Sequence, residues 1–205
     1  MHIVDGALSA PVLIGGAVLS AGGITLGLKR LTLETIPAAG ILSAAFFVAS
    51  LVHVPIGPSS VHLILNGLAG LVLGWAAFPA LAVALLLQAV FFGFGGLTVL
   101  GVNTLDIALP AVLAGAIFRP LIARASGVTV MFWGGLGGAF AIAATTLCVA
   151  LALGLSGDAF WPAAKLVFVA HIPIMMIEGV LSAAAIALIV QVRPDLFSTL
   201  RGEPA

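Results

Sequence analysis

Charge is what this sequence has least of. Only 7% of its 205 residues are Asp, Glu, Lys or Arg, and the seven basic residues balance the seven acidic ones. Soluble domains carry about 25% charged residues. With 62% of positions hydrophobic, the chain reads as an integral membrane protein. A formal net charge of zero also removes the electrostatic basis for a polyanion partner. Cysteine is almost missing: Cys148 stands alone in the apolar run from Thr145 to Leu155, forms no intramolecular disulfide and reads as a small packing residue. Enzyme signatures are absent as well. No His-Glu-x-x-His zinc site, cysteine pair, phosphate-binding glycine loop with lysine or sensibly placed Ser-His-Asp set occurs. The start has no basic n-region and no convincing cleavage site; if translation starts here, bulky His2 disfavours removal of Met1, and the amine that matters is Met1's.

Apolar runs dominate what remains. Seven segments stand out, Ala10–Leu28, Ile36–Val52, Ser60–Trp75, Pro79–Phe94, Leu105–Ile122, Val128–Leu155 and Trp161–Val192. A spanning helix needs about 20 residues, so the third and fourth are short, a pattern that points to irregular backbone around a binding site. The expected fold is an all-α polytopic bundle of about seven transmembrane helices forming one domain over residues 1–205. Lys29, Arg30, Arg119, Arg124, Arg193 and Arg201 all fall on one side of that topology, with Lys165 alone on the other. The positive-inside rule then puts the N-terminus outside and the C-terminus in the cytoplasm of a multi-pass cell (inner) membrane protein.

Two outer loops differ in character. Val54 to Ser59 carries two prolines that fix φ, whereas Gly95 to Thr104 is nearly uncharged and glycine-rich, and reads as a cover lying over a site. Small residues recur at four-residue spacing on the first segment, including Gly16, Ser20, Gly23 and Gly27. Such a face lets helices approach closely in lipid, either within this bundle or against another membrane subunit.

The chemistry concentrates at the chain start, Met1-His2-Ile3-Val4-Asp5-Gly6. A free α-amine, the deprotonated His2 amide and the His2 Nδ1 close two small chelate rings. Three nitrogens in a plane leave a fourth corner open and suit Ni(II), Cu(II) or Co(II) better than Mg or Ca. Residues 1–9 are thus the expected metal-chelating segment. His62 lies at the same membrane level and can complete the square, with Asn66 on the same helix face. His53 is a candidate partner for a ligating imidazole or an ordinary helix-end histidine. Asp5 reads as a cap for the first helix, where the dipole favours an acid, ahead of the alternative that it compensates metal charge. His171 and Glu178, seven residues apart, read as a buried polar clamp or a proton relay, since ionisable groups within spans are costly. Capture is expected to weaken as pH falls through the imidazole range, around 6.5 for an unperturbed histidine.

Four motifs in order, Met-His-Ile-x-(Asp or Glu)-Gly at the start, Pro-x-Gly-Pro-Ser-Ser-x-His-Leu-x-Leu-Asn-Gly-Leu at 55–68, Phe-Gly-Gly-Leu-Thr-x-Leu-Gly-x-Asn at 94–103 and His-Ile-Pro-Ile-Met-x-Ile-Glu-Gly at 171–179, resemble the CbiM/NikM family. Its members are the substrate-capturing membrane components of energy-coupling-factor transporters for cobalt and nickel, and the Gly-Pro-Ser-Ser form looks more like CbiM. The resemblance implies a metal site of Met1, His2 and His62, with Ser60, Asn66, Asn103, His53, His171 and Glu178 as surrounding candidates. It implies Co(II) or Ni(II) as transported substrate and no catalytic cofactor. The implied partners are a CbiQ-like coupling protein, CbiO-like ATPase subunits and a CbiN-like small subunit, with ATP hydrolysis on those partners. A nickel-specific homologue, a stand-alone proton-coupled permease and a scaffold that binds no metal are the alternatives the residues leave open.

Overall fold

The computed structural model describes residues 2–198, so the Met1 amine and Arg201 lie outside the described residues. The helices are α1 (Ala10–Arg30), α2 (Ile36–Ala49), α3 (Asn66–Leu73), α4 (Ala77–Phe92), α5 (Leu100–Arg124), α6 (Val128–Ser156), α7 (Trp161–Val192) and the short α8 (Asp195–Ser198). Between α2 and α3 a two-stranded antiparallel hairpin, β1 (Val54–Ile56) and β2 (Ser59–Val61), pairs Val54 with Val61 and Ile56 with Ser59. Pro11 opens α1, and Lys29 and Arg30 close it, where cations complement the helix dipole.

Five helical runs are long and apolar enough to cross a membrane: Ala10–Arg30, Asn66–Phe92, Leu100–Arg124, Val128–Ser156 and Asp158–Val192. With the shorter apolar Ile36–Ala49, the described residues hold six such runs where hydropathy led us to expect seven separate spanning helices. Two differences account for this. The first part of the third segment is strand and extended chain, because residues 59–65 enter the bundle before a helix starts. The remainder of that segment and the fourth form one run, joined by a single 3-10 turn at Gly74–Ala76.

That run doubles back. If straight, the stretch from Asn66 to Gln88 would cover about 33 Å at 1.5 Å per residue. Yet His62 and Gln88 both reach the His2 ring, at 3.1 and 2.7 Å. The reversal sits at Gly74, whose φ of +56° is a conformation glycine adopts without a Cβ penalty. Going in, α3 runs beside α5: Asn66 Nδ2 donates to Ile107 O at 2.8 Å, and Gly70 and Gly74 lie against Ala111 and Arg119. Coming out, α4 follows α2: Ser43 Oγ donates to Ala80 O at 2.8 Å, and Gln88 Nε2 donates to Phe47 O at 3.3 Å. The two ends of the bundle are therefore distinct. His2, the hairpin and the 93–99 loop share one end; Arg30, Gly74, Arg119 and Leu196 share the other.

Close backbone approach holds the helices together. A Cβ on Gly70 would stand 1.8 Å from Ala111 O, and one on Gly101 2.6 Å from Ala17 Cα. The small-residue face of α1 is spent on this internal packing: Gly16 meets Val102, Gly23 meets Phe78, Gly27 meets Pro79, and Ser20 Oγ donates to Gly101 O at 2.5 Å. All four are buried, so the face read as a possible contact for another subunit is filled by α4 and α5.

Gly70→Ala is expected to lower the melting temperature in detergent sharply or prevent folding, since overpacking costs about 1–3 kcal/mol or more. Gly22, with nothing within 4 Å of its Cβ position, accepts alanine without loss. Equal melting of the two variants would contradict the α3–α5 contact.

Candidate metal site

The chain start is threaded into the bundle as a segment without regular secondary structure. Val4 N–H donates to Pro58 O at 3.1 Å and Asp5 N–H to Gly95 O at 2.9 Å, so the segment bridges the hairpin turn and the 93–99 loop. Asn103, in the first turn of α5, grips it with both ends of its amide. Its Oδ1 accepts from Ile3 N–H at 2.9 Å and its Nδ2 donates to Ile3 O at 3.0 Å. Ile3 is fully buried, an apolar anchor just after His2. The covering loop needs its glycines. Gly95 and Gly96 have φ of +75° and +128°, and a Cβ on Gly96 would stand 2.0 Å from Asp5 Oδ2. Asp5 is not the cap expected for α1, whose N-cap is Ser9; its Oδ1 instead accepts from Thr98 Oγ1 and ties the cover to the segment.

This threading places His2 and His62 face to face. Their rings stack with centroids 4.8 Å apart, and His2 Nδ1 lies 3.1 Å from His62 Nε2. The outer ring nitrogens settle the tautomers. His2 Nε2 is 2.7 Å from Gln88 Oε1, a carbonyl oxygen that only accepts. The Gln88 amide is oriented by its own donations to Phe47 O and Ser50 Oγ. His62 Nδ1 is 2.7 Å from Leu63 O, again an acceptor only. Each imidazole thus keeps its proton on the outer nitrogen, and His2 Nδ1 and His62 Nε2 turn lone pairs toward one another. Two nitrogens each about 2.0–2.1 Å from one metal at a right angle stand about 2.9 Å apart, so the observed spacing suits adjacent corners of a metal square. A hydrogen bond to the second nitrogen is also what fixes a ligating imidazole's tautomer.

Burial reinforces this state. His2 and His62 are 4% and 3% exposed. Desolvation pushes His2 down from 6.5 to about 3 and holds His62 well below its ordinary value. Protonation of the pair near pH 6.5, expected from the sequence, is therefore suppressed. Because the unfolded chain binds protons that the folded one refuses, His2 makes stability rise with pH between about 3 and 6.5. No group of three His, Cys, Asp or Glu side chains is assembled among the described residues. Further donors at this point would come from the main chain; the His2 amide sits here, 3.4 Å from Ser60 Oγ.

The other sequence candidates fall at different depths. His53 lines the same cavity of about 190 Å3 as His2, but its ring lies edge-on to Phe94 with centroids 4.4 Å apart and its Nδ1 lies 3.3 Å from Leu51 O. Asn66 bonds Ile107 O and Thr145 Oγ1 deeper in the bundle. Glu178 Oε1 accepts the N–H groups of Ile64 and Leu65, at 2.5 and 2.8 Å. This steadies Leu65, which alone among the described non-glycine residues has positive φ, +54°. His171 Nδ1 donates to Val167 O at 2.7 Å within its own helix. Sequence reasoning missed Gln88, a lone polar residue in the apolar run 77–92, whose isolation was the available signal.

The profile of the family described as cobalt uptake substrate-specific transmembrane region, CbiM, matches residues 2–196. This chain belongs to that family. It is 43% identical over 205 residues, covering 97% of each chain, to a protein of Haemophilus influenzae named for metal transport. It is 35% identical to the cobalt transport protein CbiM of Sorangium cellulosum over 80% of this chain and 77% of that one. A crystal structure described as a transition metal transporter superposes with a TM-score of 0.83 at 27% identity, covering 94% of this chain and 93% of the other. The chain is thus a multi-pass membrane component of cobalt or nickel transport, a transporter rather than an enzyme.

Replacing the Gln88 acceptor tests the tautomer argument. Gln88→Leu is expected to weaken Co(II) and Ni(II) binding by about 10–100-fold, as loss of such partners does elsewhere, while Gln88→Glu, which still accepts from Nε2, retains binding. The readout is metal competition titration; equal affinities for both variants would refute it.

Proposed function

We propose that this CbiM-family chain is the substrate-capture component of an ATP-driven energy-coupling-factor transporter, holding Co(II), or Ni(II) in its place, with the Met1 amine, the His2 amide and Nδ1, and His62 Nε2. The observation that carries the reading is the pair of converging lone pairs on His2 and His62, 3.1 Å apart in a buried pocket. Four nitrogens in tetragonal array suit these metals. The metal site faces outward in this reading. Lys29, Arg30, Arg119 and Arg124 gather toward the end away from His2, while Lys165 follows Ala163, which approaches the hairpin at Gly57, as the positive-inside rule favours. The segment from 95 to 99 covers the bound metal.

Partners follow from relatives. An Archaeoglobus fulgidus protein is named as fused NikMN, and a Methanocorpusculum labreanum protein as fused CbiMQ. An N-type small subunit and a Q-type coupling subunit therefore assemble with this chain, and CbiO-like ATPases supply the energy. A multidentate chelate is slow to release its metal, so delivery inward is driven by ATP rather than passive.

Two measurements test the reading. Inserting one alanine between Met1 and His2 leaves composition and charge almost unchanged but breaks both chelate rings; tight Co(II) and Ni(II) binding by the purified protein is expected to collapse. Undiminished binding would exclude the terminal chelate. Between pH 5.5 and 6.5 the amine and amide still release protons on binding, whereas the buried imidazoles are already neutral. Calorimetry in two buffers is expected to count about two protons per metal. A count rising from about three at pH 6.5 toward four at pH 5.5 would mean that the imidazoles titrate normally.

A further inference from the structure

At the end of the bundle opposite His2 lies a cavity of about 600 Å3 that plays no part in metal capture. Arg30 at the close of α1 and Arg119 on α5 both line it, with Trp75 beside them. The Arg119 guanidinium lies over the turn between α3 and α4, where a Cβ on Gly74 would meet Nη1 at 2.8 Å. Its Nε is buried without a hydrogen-bond partner. Glu34, the carboxylate of the lining, is engaged with Thr32 Oγ1 at 3.0 Å. Neither arginine is within ion-pair distance of it among the described residues. A guanidinium nitrogen buried without an acceptor is costly, and the planar fork of a half-buried arginine matches phosphate oxygens.

The rest of the lining says which phosphate. Val72, Leu73 and Val112 make an apolar wall, unsuited to a fully hydrated anion. Trp75 is 39% exposed, the amphipathic ring usual at headgroup level. Basic pockets between membrane helices on the cytoplasmic side bind anionic headgroups. We propose that this cavity binds an anionic phospholipid, Arg119 and Arg30 holding its phosphate and the apolar wall taking the start of its acyl chains. The proposal is independent of how the metal is bound.

The test uses the full chain in mixed micelles, with native mass spectrometry counting retained phosphatidylglycerol against phosphatidylcholine. Wild type is expected to keep phosphatidylglycerol preferentially. Arg119→Gln is expected to lose that preference by about fivefold or more, and Arg30→Gln to reduce it. Arg124→Gln, an exposed basic residue outside the cavity lining, leaves it unchanged. Should Arg119→Gln fail to fold, Arg30→Gln against Arg124→Gln decides. Equal retention of both lipids by wild type, or equal loss in Arg124→Gln and the cavity variants, overturns the proposal. So does inorganic phosphate raising the melting temperature as much as phosphatidylglycerol, which would mark a free-anion site. Lipid preference intact in Arg119→Gln together with lost co-purification of a Q-type subunit would assign the cavity to a protein partner and equally overturn it.

Discussion

The Asn103 amide closing on both main-chain groups of Ile3 is the constraint on which the site depends. A segment without regular secondary structure is ordinarily loose, because ordering it costs conformational entropy that few contacts repay. Here the residue after His2 is fully buried and bonded at both N–H and C=O to one side chain. The next two N–H groups are taken by Pro58 and Gly95. This segment is thus pinned on both flanks, and the His2 side chain it carries is directed to one place. Asn103 in turn stands on α5, whose first turn packs on α1 through Gly101 and Val102, so the position of His2 is referred to the helix bundle.

Given that placement, the ring chemistry follows with little freedom. Gln88 Oε1 and Leu63 O each accept a hydrogen bond from one imidazole, leaving two lone pairs that repel unless a cation lies between them. Burial makes a proton a poor choice, because a charged imidazole would lack water around it. In the proposed site a divalent metal would bring more charge and meet both nitrogens at once, so that desolvation disfavours protons while convergence favours the metal. The ring's outer partners matter as much as its inner ones: without Gln88, either nitrogen of His2 could carry the proton.

Legibility followed how local each cause was. Membrane character, the long helices and the placing of His2 and His62 at one level were readable from composition, run length and motif, each a property of neighbouring residues. The span count was not, because hydropathy sees apolar content from Ser60 to Phe94 but not that residues 59–65 are extended, nor that the chain reverses at Gly74. The role of Gln88 depends on α4 returning beside α2, which only that reversal creates. Asp5 was misread for a related reason: a carboxylate near a helix start reads as a cap, yet Ser9 holds that position and Asp5 is drawn to Thr98 instead. The spacing of Gly16, Ser20, Gly23 and Gly27 announced a close helix contact correctly in kind. It could not say whether the neighbour belonged to this chain.

Extended backbone inside an apolar bundle demands partners for its polar groups, since lipid offers none. The approach to α3 meets this demand in a way that ties the site to the far helices. His62 must leave β2 and reach His2 while Asn66 starts a helix beside Ile107, and the bend between them forces Leu65 into a left-handed conformation uncommon for a branched side chain. Ile64 and Leu65 N–H, exposed by that bend, both go to one oxygen of Glu178 on α7. One side-chain oxygen that accepts both N–H groups accounts for a polar residue fully buried at this depth. Glu178 thus needs no proton-relay role to explain its presence: it satisfies the backbone that the placement of His62 leaves bare. The shortness of α3, two turns where a full span would fit, has the same origin, because a longer helix starting nearer the hairpin would carry His62 on its surface, away from His2.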